Sequence, residues 1–171
     1  MLKWDAMKPI PEELIEKISK KISGIQPHEA NEAIQKVGQL QPDLVAFLMD
    51  STGGLNPEAQ ELAFYLFFVV YRIFQASGAK IRKVSYGEID EFFEQNETLF
   101  EDAESADPLS DPLKIFPVLI QPYLMRYLSE ALPEEEASGV NEEEKGVIFL
   151  VLKTVIEVLN QAASPRSKAA K

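Results

Sequence analysis

Hydrophobic residues recur three or four positions apart along most of the chain, which is the spacing of one face of an α-helix. Seven such segments each begin near a residue that favours a helix start, such as proline, asparagine or serine. These starts are Pro11, Pro27, Pro42, Asn56, Ser85, Asp111 and Asn141. No alternating segment is long enough to predict a strand. We therefore expect an all-α fold of about seven helices, as a bundle or an array of helical hairpins.

The ends of these helices are predicted from glycines, prolines and acidic runs. Two acidic segments, 101–111 and 133–140, are expected to be loops. Pro117 and Pro122 interrupt the segment between them and predict a kink or two short helices. The tail 164–171 is expected to be frayed. The predicted helix-ending glycines are Gly24, Gly38, Gly53 and Gly78.

The fourth predicted helix is apolar on nearly every side, because residues 62–71 are all hydrophobic. A helix without a polar face is expected to lie at the centre of a fold. Ten apolar residues are about half of the ~20 that a membrane span needs, so we predict no span. Either the other helices cover this helix completely, or one face stays open as a groove for a partner or a second copy.

The net charge of −11 lies entirely in the second half of the chain. Residues 1–84 carry 10 acidic and 10 basic side chains, whereas residues 85–171 carry 18 acidic and 7 basic ones. An acidic surface repels phosphate backbones, so we expect no direct binding to nucleic acid. Residues 1–5 form no apolar stretch, so we expect no secretory signal and a cytoplasmic location.

The sequence predicts no catalytic residue, cofactor or metal ligand. There is no cysteine, and His28 is the only histidine. The segment from His28 to Glu32 begins like a zinc-protease motif but lacks the second histidine. The acidic residues of segment 101–111 lack the order of an EF-hand loop. An enzymatic role is left open by these residues, although they give it no support.

An internal echo predicts that the single domain 1–171 contains two pseudo-symmetric halves, 26–78 and 86–163. Residues 41–48 resemble residues 121–128 in the shared Gln, Pro and two Leu, at an offset of 80. The helix that begins at Asn56 aligns with the one that begins at Asn141, at an offset of 85. Chance similarity between capped, leucine-rich helices is the alternative.

Matched positions in two such halves can approach each other near a two-fold axis. Arg72 lies within the apolar helix and matches Glu157. A buried charge is costly unless it is paired, so we hypothesise an ion pair between these two residues. The alternative is that Arg72 reaches solvent along its aliphatic stem.

We interpret the chain as a protein–protein interaction domain that binds a basic or amphipathic segment of a partner, or associates with itself. The predicted surface lies beside residues 57–77, between the acidic segments 101–111 and 133–144. A small helical enzyme or apolar-ligand-binding protein with a pocket of the same aromatics is one alternative. An acidic regulator that masks a nucleic-acid-binding protein is another. The predicted partner-binding residues are Phe64, Tyr65, Phe68, Tyr71, Glu101, Asp102 and Glu104.

Overall fold

The computed structural model describes residues 8–102, 120–134 and 139–163. Within these ranges the chain is all-helical, which confirms the predicted fold class. None of the helices in these ranges is long and apolar enough to cross a membrane. The described ranges contain seven helices, which are α1 (Glu12–Ser23), α2 (Pro27–Leu40), α3 (Pro42–Thr52), α4 (Pro57–Ala76), α5 (Tyr86–Asp102), α6 (Pro122–Glu134) and α7 (Glu142–Ala162).

Side-chain caps fix the starts of the three longest helices, as the sequence predicts. The Asn56 side chain accepts a hydrogen bond from the amide three residues on, at 2.9 Å. Asn141 does the same for Glu144, at 2.8 Å. Ser85 and Glu88 form a reciprocal capping box at the start of α5. Each cap satisfies amides that the first turn of a helix leaves without partners.

The second helix does not end at Gly38, as the sequence predicts, but continues to Leu40. A side chain at Gly38 would lie 3.9 Å from Val45 of α3, so this glycine lies where the two helices approach closely. The helix ends instead at Gln41, because the residue before a proline avoids the helical conformation. Close packing of α2 on α3 offsets the weak helix propensity of one glycine, about 1 kcal/mol.

The helices before the two predicted loops continue past the predicted boundaries. Helix α5 includes Glu101 and Asp102, and its last turn is held on α7 by contact between Phe100 and Phe149. Helix α6 runs to Glu134, one residue past Pro133, where the second loop was predicted to start. Residues 103–111 of the first predicted loop lie outside the described residues.

The segment predicted as a kinked helix contains a helix start at one of its prolines. Helix α6 begins at Pro122, which needs no amide hydrogen at this position. Gln121 precedes it in a left-handed conformation, with φ of 59°. Pro117 lies outside the described residues.

The core lies around α4 and α7, which pack against each other. Helix α1 packs on α4 and α6, whereas α5 packs on α7 and α3. Ten residues of α4 and twelve of α7 are buried. Burial of one large aliphatic or aromatic side chain contributes about 1.5–3 kcal/mol, so these two helices supply much of the stabilising energy. The central position predicted for the apolar helix is confirmed.

Gln41, which precedes α3, binds the extended segment that leads into α5. Its Nε2 donates to the carbonyl oxygen of Arg82 at 2.9 Å, and its Oε1 accepts from the amide of Val84 at 3.0 Å. Gln41 is buried, so these bonds satisfy polar groups that water does not reach.

Gln121, which precedes α6, binds the segment that leads into α1 in the same way. Its Nε2 donates to the carbonyl oxygen of Lys8 at 3.1 Å, and its Oε1 accepts from the amide of Ile10 at 2.7 Å. The two glutamines thus match α3 with α6 and α1 with α5. Helix α1 precedes the predicted half 26–78; when it is counted with the first half, each glutamine holds the start of a helix from the other half. These contacts fit an internal repeat, although duplication itself stays a prediction.

The structure shows no ion pair between Arg72 and Glu157, both of which it describes. The carboxylate of Glu157 accepts from Lys153 Nζ at 2.5 Å and from Asn96 Nδ2 at 2.8 Å. Lys153 lies one turn away on the same helix and is itself buried. Its charge needs a partner, and the carboxylate of Glu157 forms an ion pair with it. Arg72 is half-buried on α4.

Candidate partner-binding groove

A groove opens to solvent between the end of α1, the first turns of α2 and the N-terminal half of α4. Its volume is about 590 Å³. Most of the apolar side chains along it are half-buried, so they keep part of their surface exposed. The apolar lining consists of Ile22, Ile25, Ala30, Ile34, Leu62, Phe64 and Tyr65.

The groove exists because α1 ends before it has covered this face of α4. Helix α1 packs along α4 and ends at Ser23, and the chain turns at Gly24. Beyond that point Leu62 and Phe64 are flanked by Ile25 and by α2 and stay half-buried. An apolar helix needs neighbours on every side, and here one side lacks a complete one.

Carboxylates give the groove its charge. Among the described residues that line it, Glu58 and Glu61 are the charged ones, and both are exposed. The uncharged polar lining comes from Ser23, Gln26 and Asn31. Neither lysine nor arginine belongs to this described lining, and the nearest lysines in sequence, Lys20 and Lys21, lie in the last turn of α1 just before Ile22.

The acidic start of α7 lies beside the same end of α4. The amide and the side chain of Asn56 donate to the carboxylate of Glu144 at 3.0 and 2.7 Å. Asn56 also donates to the carbonyl oxygen of Gly139. Glu142 and Glu143 of the same first turn are exposed. Residues 139–144 of the predicted acidic flank therefore border the N-terminus of α4.

The structure distributes the four predicted aromatic residues over three environments. Phe64 and Tyr65 line the groove, whereas Phe68 is buried. Tyr71 is also buried and lines a separate depression beside Leu40. The four residues therefore do not form one pocket, because the cover over α4 increases toward its C-terminal end.

Tyr71 does not offer an ionised oxygen to its depression. Burial raises the pKa of its hydroxyl above the usual 10, and a hydrogen bond with Gln41 opposes part of that change. The hydroxyl therefore stays protonated at neutral pH.

Of the predicted acidic residues in segment 101–111, Glu101 is the one whose side chain the structure describes, and it does not belong to the groove lining. Glu101 is exposed at the end of α5, a helix that packs on α7 and α3. Asp102 is the last residue of that helix. Glu104 lies outside the described residues.

Several residues that line the groove were not predicted to bind a partner, because their positions in the sequence favour other roles. In the sequence, Glu58 and Glu61 fall in the first turns of α4, where acidic residues suit the helix dipole, and Ile34 falls on the apolar face of α2. Their spacing gave no signal of a shared surface, because they come from different helices.

A buried polar cluster lies between α5 and α7. Asn96 accepts from Lys153 Nζ at 2.6 Å and donates to Thr154 at 3.0 Å and to Glu157 at 2.8 Å. In the described part of the chain, no buried side-chain nitrogen or oxygen lacks a hydrogen-bond partner. The cluster is mutually satisfied and has the character of a structural network.

The described ranges contain no group of three or more His, Asp or Glu side chains arranged to hold a metal ion. Comparisons with protein-family models, with curated proteins and with solved structures give no match. The groove is thus the candidate site that the geometry itself offers.

Proposed function

We propose that this chain is a protein-interaction domain whose groove binds a basic amphipathic helix of another protein. The observation that carries the proposal is an apolar floor beside two carboxylates, which are the only charges among the described lining residues. The floor suits the apolar face of a helix, as in other helix-in-groove complexes. Glu58 and Glu61 suit lysine or arginine at the edge of that face.

The shape of the groove favours a polypeptide segment over a small apolar ligand. Small-molecule sites enclose most of the ligand surface. This groove is open to solvent and lies between three helices, so a segment can lie along it. We expect weak, micromolar binding, which is typical of small transient interfaces.

The test is a fluorescence-anisotropy titration with three synthetic peptides of about 18 residues, or five helical turns. The first is an amphipathic helix of leucine and lysine with one central phenylalanine. The second has the same composition in an order without an apolar face, and the third has glutamate in place of lysine. We expect the first to bind about tenfold more tightly than the others, because only it offers both an apolar face and positive charge.

Paired charge variants locate the binding. We expect E58Q/E61Q to weaken the first peptide several-fold and to reduce the salt dependence of its binding. The control E91Q/E94Q makes the same charge change on the exposed face of α5 and should leave the affinity unchanged. Equal effects of the two double variants, equal binding of the glutamate peptide, or no binding would contradict the proposal.

Light scattering tests whether a second copy of the chain occupies the groove instead. We expect a monomer at micromolar concentration. A dimer that Phe64→Lys converts to a monomer would assign the groove to self-association and would overturn the proposal.

A further inference from the structure

The second half of the molecule shows what lies on the matching face of α7. Phe149 lies 85 residues after Phe64, at the same distance from its helix cap. Phe64 is half-buried in the groove, whereas Phe149 is fully buried. Part of the cover over Phe149 is the ring of Phe100, whose centroid lies 6.3 Å away.

Helix length explains why Phe100 has no counterpart on α4. The glutamine contacts match Ile10 with Val84, so α1 and α5 start at corresponding places. Helix α1 has 12 residues and α5 has 17. The additional five residues extend α5 by about 7.5 Å, and Phe100 lies in this extension. The corresponding part of the first half is the turn at Gly24.

We propose that the partner helix occupies, on α4, the place that the end of α5 occupies on α7, with an aromatic side chain against Phe64. This inference rests on the proposed function and specifies the residue that anchors the partner. Aromatic rings attract each other with their centroids about 4.5–7 Å apart. Phe100 and Phe149 show such a contact, at 6.3 Å with an angle of 31° between the rings.

The residue beside the anchor is specified as well. Phe100 lies against Gly146, with its Cε2 3.9 Å from where a side chain would begin. The residue at the matching position of α4 is Glu61, which brings a carboxylate to the edge of the anchor site. The partner therefore needs a lysine or arginine next to its aromatic residue, where a basic side chain can pair with Glu61.

Isothermal titration calorimetry with variants of the leucine–lysine peptide tests the anchor. We expect the change of its phenylalanine to alanine to weaken binding about tenfold, and the change to leucine to weaken it about threefold. The wild-type protein is used for this series, so folding of a variant does not affect the result.

A double-mutant cycle tests whether the anchor contacts Phe64. The Phe64→Leu protein is first checked for folding by its thermal melt. With the wild-type protein, the change of the peptide's phenylalanine to alanine is expected to weaken binding about tenfold. With Phe64→Leu, we expect the same change to weaken binding by a factor about fivefold smaller. The control Tyr123→Leu changes an exposed aromatic residue on α6. With this variant, the alanine peptide should bind as much more weakly than the phenylalanine peptide as it does with the wild-type protein.

The outcomes separate this inference from the proposed function. If all peptides bind equally and E58Q/E61Q weakens them all, the groove binds basic helices but the aromatic anchor is overturned. Additive effects in the Phe64 cycle would also overturn the anchor. If no peptide binds, the proposed function fails together with the anchor.

Discussion

The two central helices, α4 and α7, begin alike but are covered differently. Both start with an asparagine cap, and both pack in the core. Helix α7 is packed against α5, which has 17 residues. Helix α4 is packed against α1, which has 12 residues and leaves Phe64 half-buried. The comparison shows that the length of a neighbouring helix decides whether an apolar face becomes core or groove.

The interiors of the two regions differ as well. The interface of α5 with α7 contains the polar pair Asn96 and Lys153. The matching positions on α1 and α4 are Ile22 and Phe68, which are buried and apolar. The covered region thus contains a buried polar network, and the open region has apolar packing at the same places.

The largest difference between α4 and α7 should appear when the matched phenylalanines are truncated. We expect Phe149→Ala to destabilise the protein by about 4 kcal/mol, because it leaves a cavity in a closed core. Phe64→Ala should cost about 1 kcal/mol, since Phe64 already contacts solvent and the site can adjust. Urea unfolding followed by circular dichroism measures both values. Equal losses would show that the face of α4 is as closed as that of α7.

Removal of the buried lysine tests the network in the covered region. Lys153→Met should cost about 3 kcal/mol, because Glu157 then lacks its charged partner in a nearly buried place. K153M/E157Q should recover part of that loss, since no carboxylate remains to be compensated. Lys36→Met on the exposed face of α2 is the control and should change unfolding little. A double variant less stable than K153M would contradict the network.

The glutamine contacts offer a finer test of the two halves. Gln41→Ala and Gln121→Ala should each cost about 2 kcal/mol, because a buried backbone amide loses its acceptor. At position 121, the glycine variant should be more stable to unfolding than the alanine variant by about 1 kcal/mol, since the φ of 59° there is strained for other residues. At position 41, with φ of −134°, glycine should give no such gain. Thermal unfolding of the alanine and glycine variants at positions 41 and 121 measures these stabilities. An equal gain from glycine over alanine at both positions would contradict this explanation.

The smallest expected effect is a change in the acid dependence of stability. The hydrogen bond from Arg82 lowers the pKa of Glu88 below its usual 4.5, and hydrogen bonds from Ser85 contribute. The folded state therefore binds this proton less readily than the unfolded state. The stabilisation is present above pH 4.5 and is lost as the pH falls through the lower folded value.

Glu88→Gln should remove this part of the acid dependence. The pair is partly exposed, so solvent screening limits the effect to about 0.5 kcal/mol. Urea midpoints measured between pH 3 and pH 7, a range of about four units around the ordinary glutamate pKa, show the change. The control Glu91→Gln removes an exposed carboxylate of the same helix and should leave the urea midpoint at pH 7 unchanged. A steeper slope in Glu88→Gln would contradict the sign of the pKa change.

Local features of the fold could be predicted from the sequence. The caps at Asn56, Ser85 and Asn141 depend on residues within one turn, and all three are present. The end of α2 was misplaced because packing against α3 overrides the weak preference of Gly38. Local preference predicts helix starts well, whereas tertiary contacts shift helix ends.

The groove could not be predicted, because it depends on distances between helices. The turn at Gly24 was expected, but its position relative to Phe64 follows only from the packing of α1 on α4. The echo of Gln41 and Gln121 was visible as well. The backbone groups that these glutamines bind lie far away in sequence, 111 residues in the case of Ile10, so the pattern gave no indication of that role.

The most direct test of the open face on α4 is methyl NMR of the wild-type protein during titration with the leucine–lysine peptide. Leu62 in the groove and Val147 on α7 occupy matched positions. We predict that the peptide shifts the methyl signals of Leu62, Ile25 and Ile34 and leaves those of Val147 unchanged. Equal shifts at Leu62 and Val147, or unchanged groove signals at saturating peptide, would contradict the account.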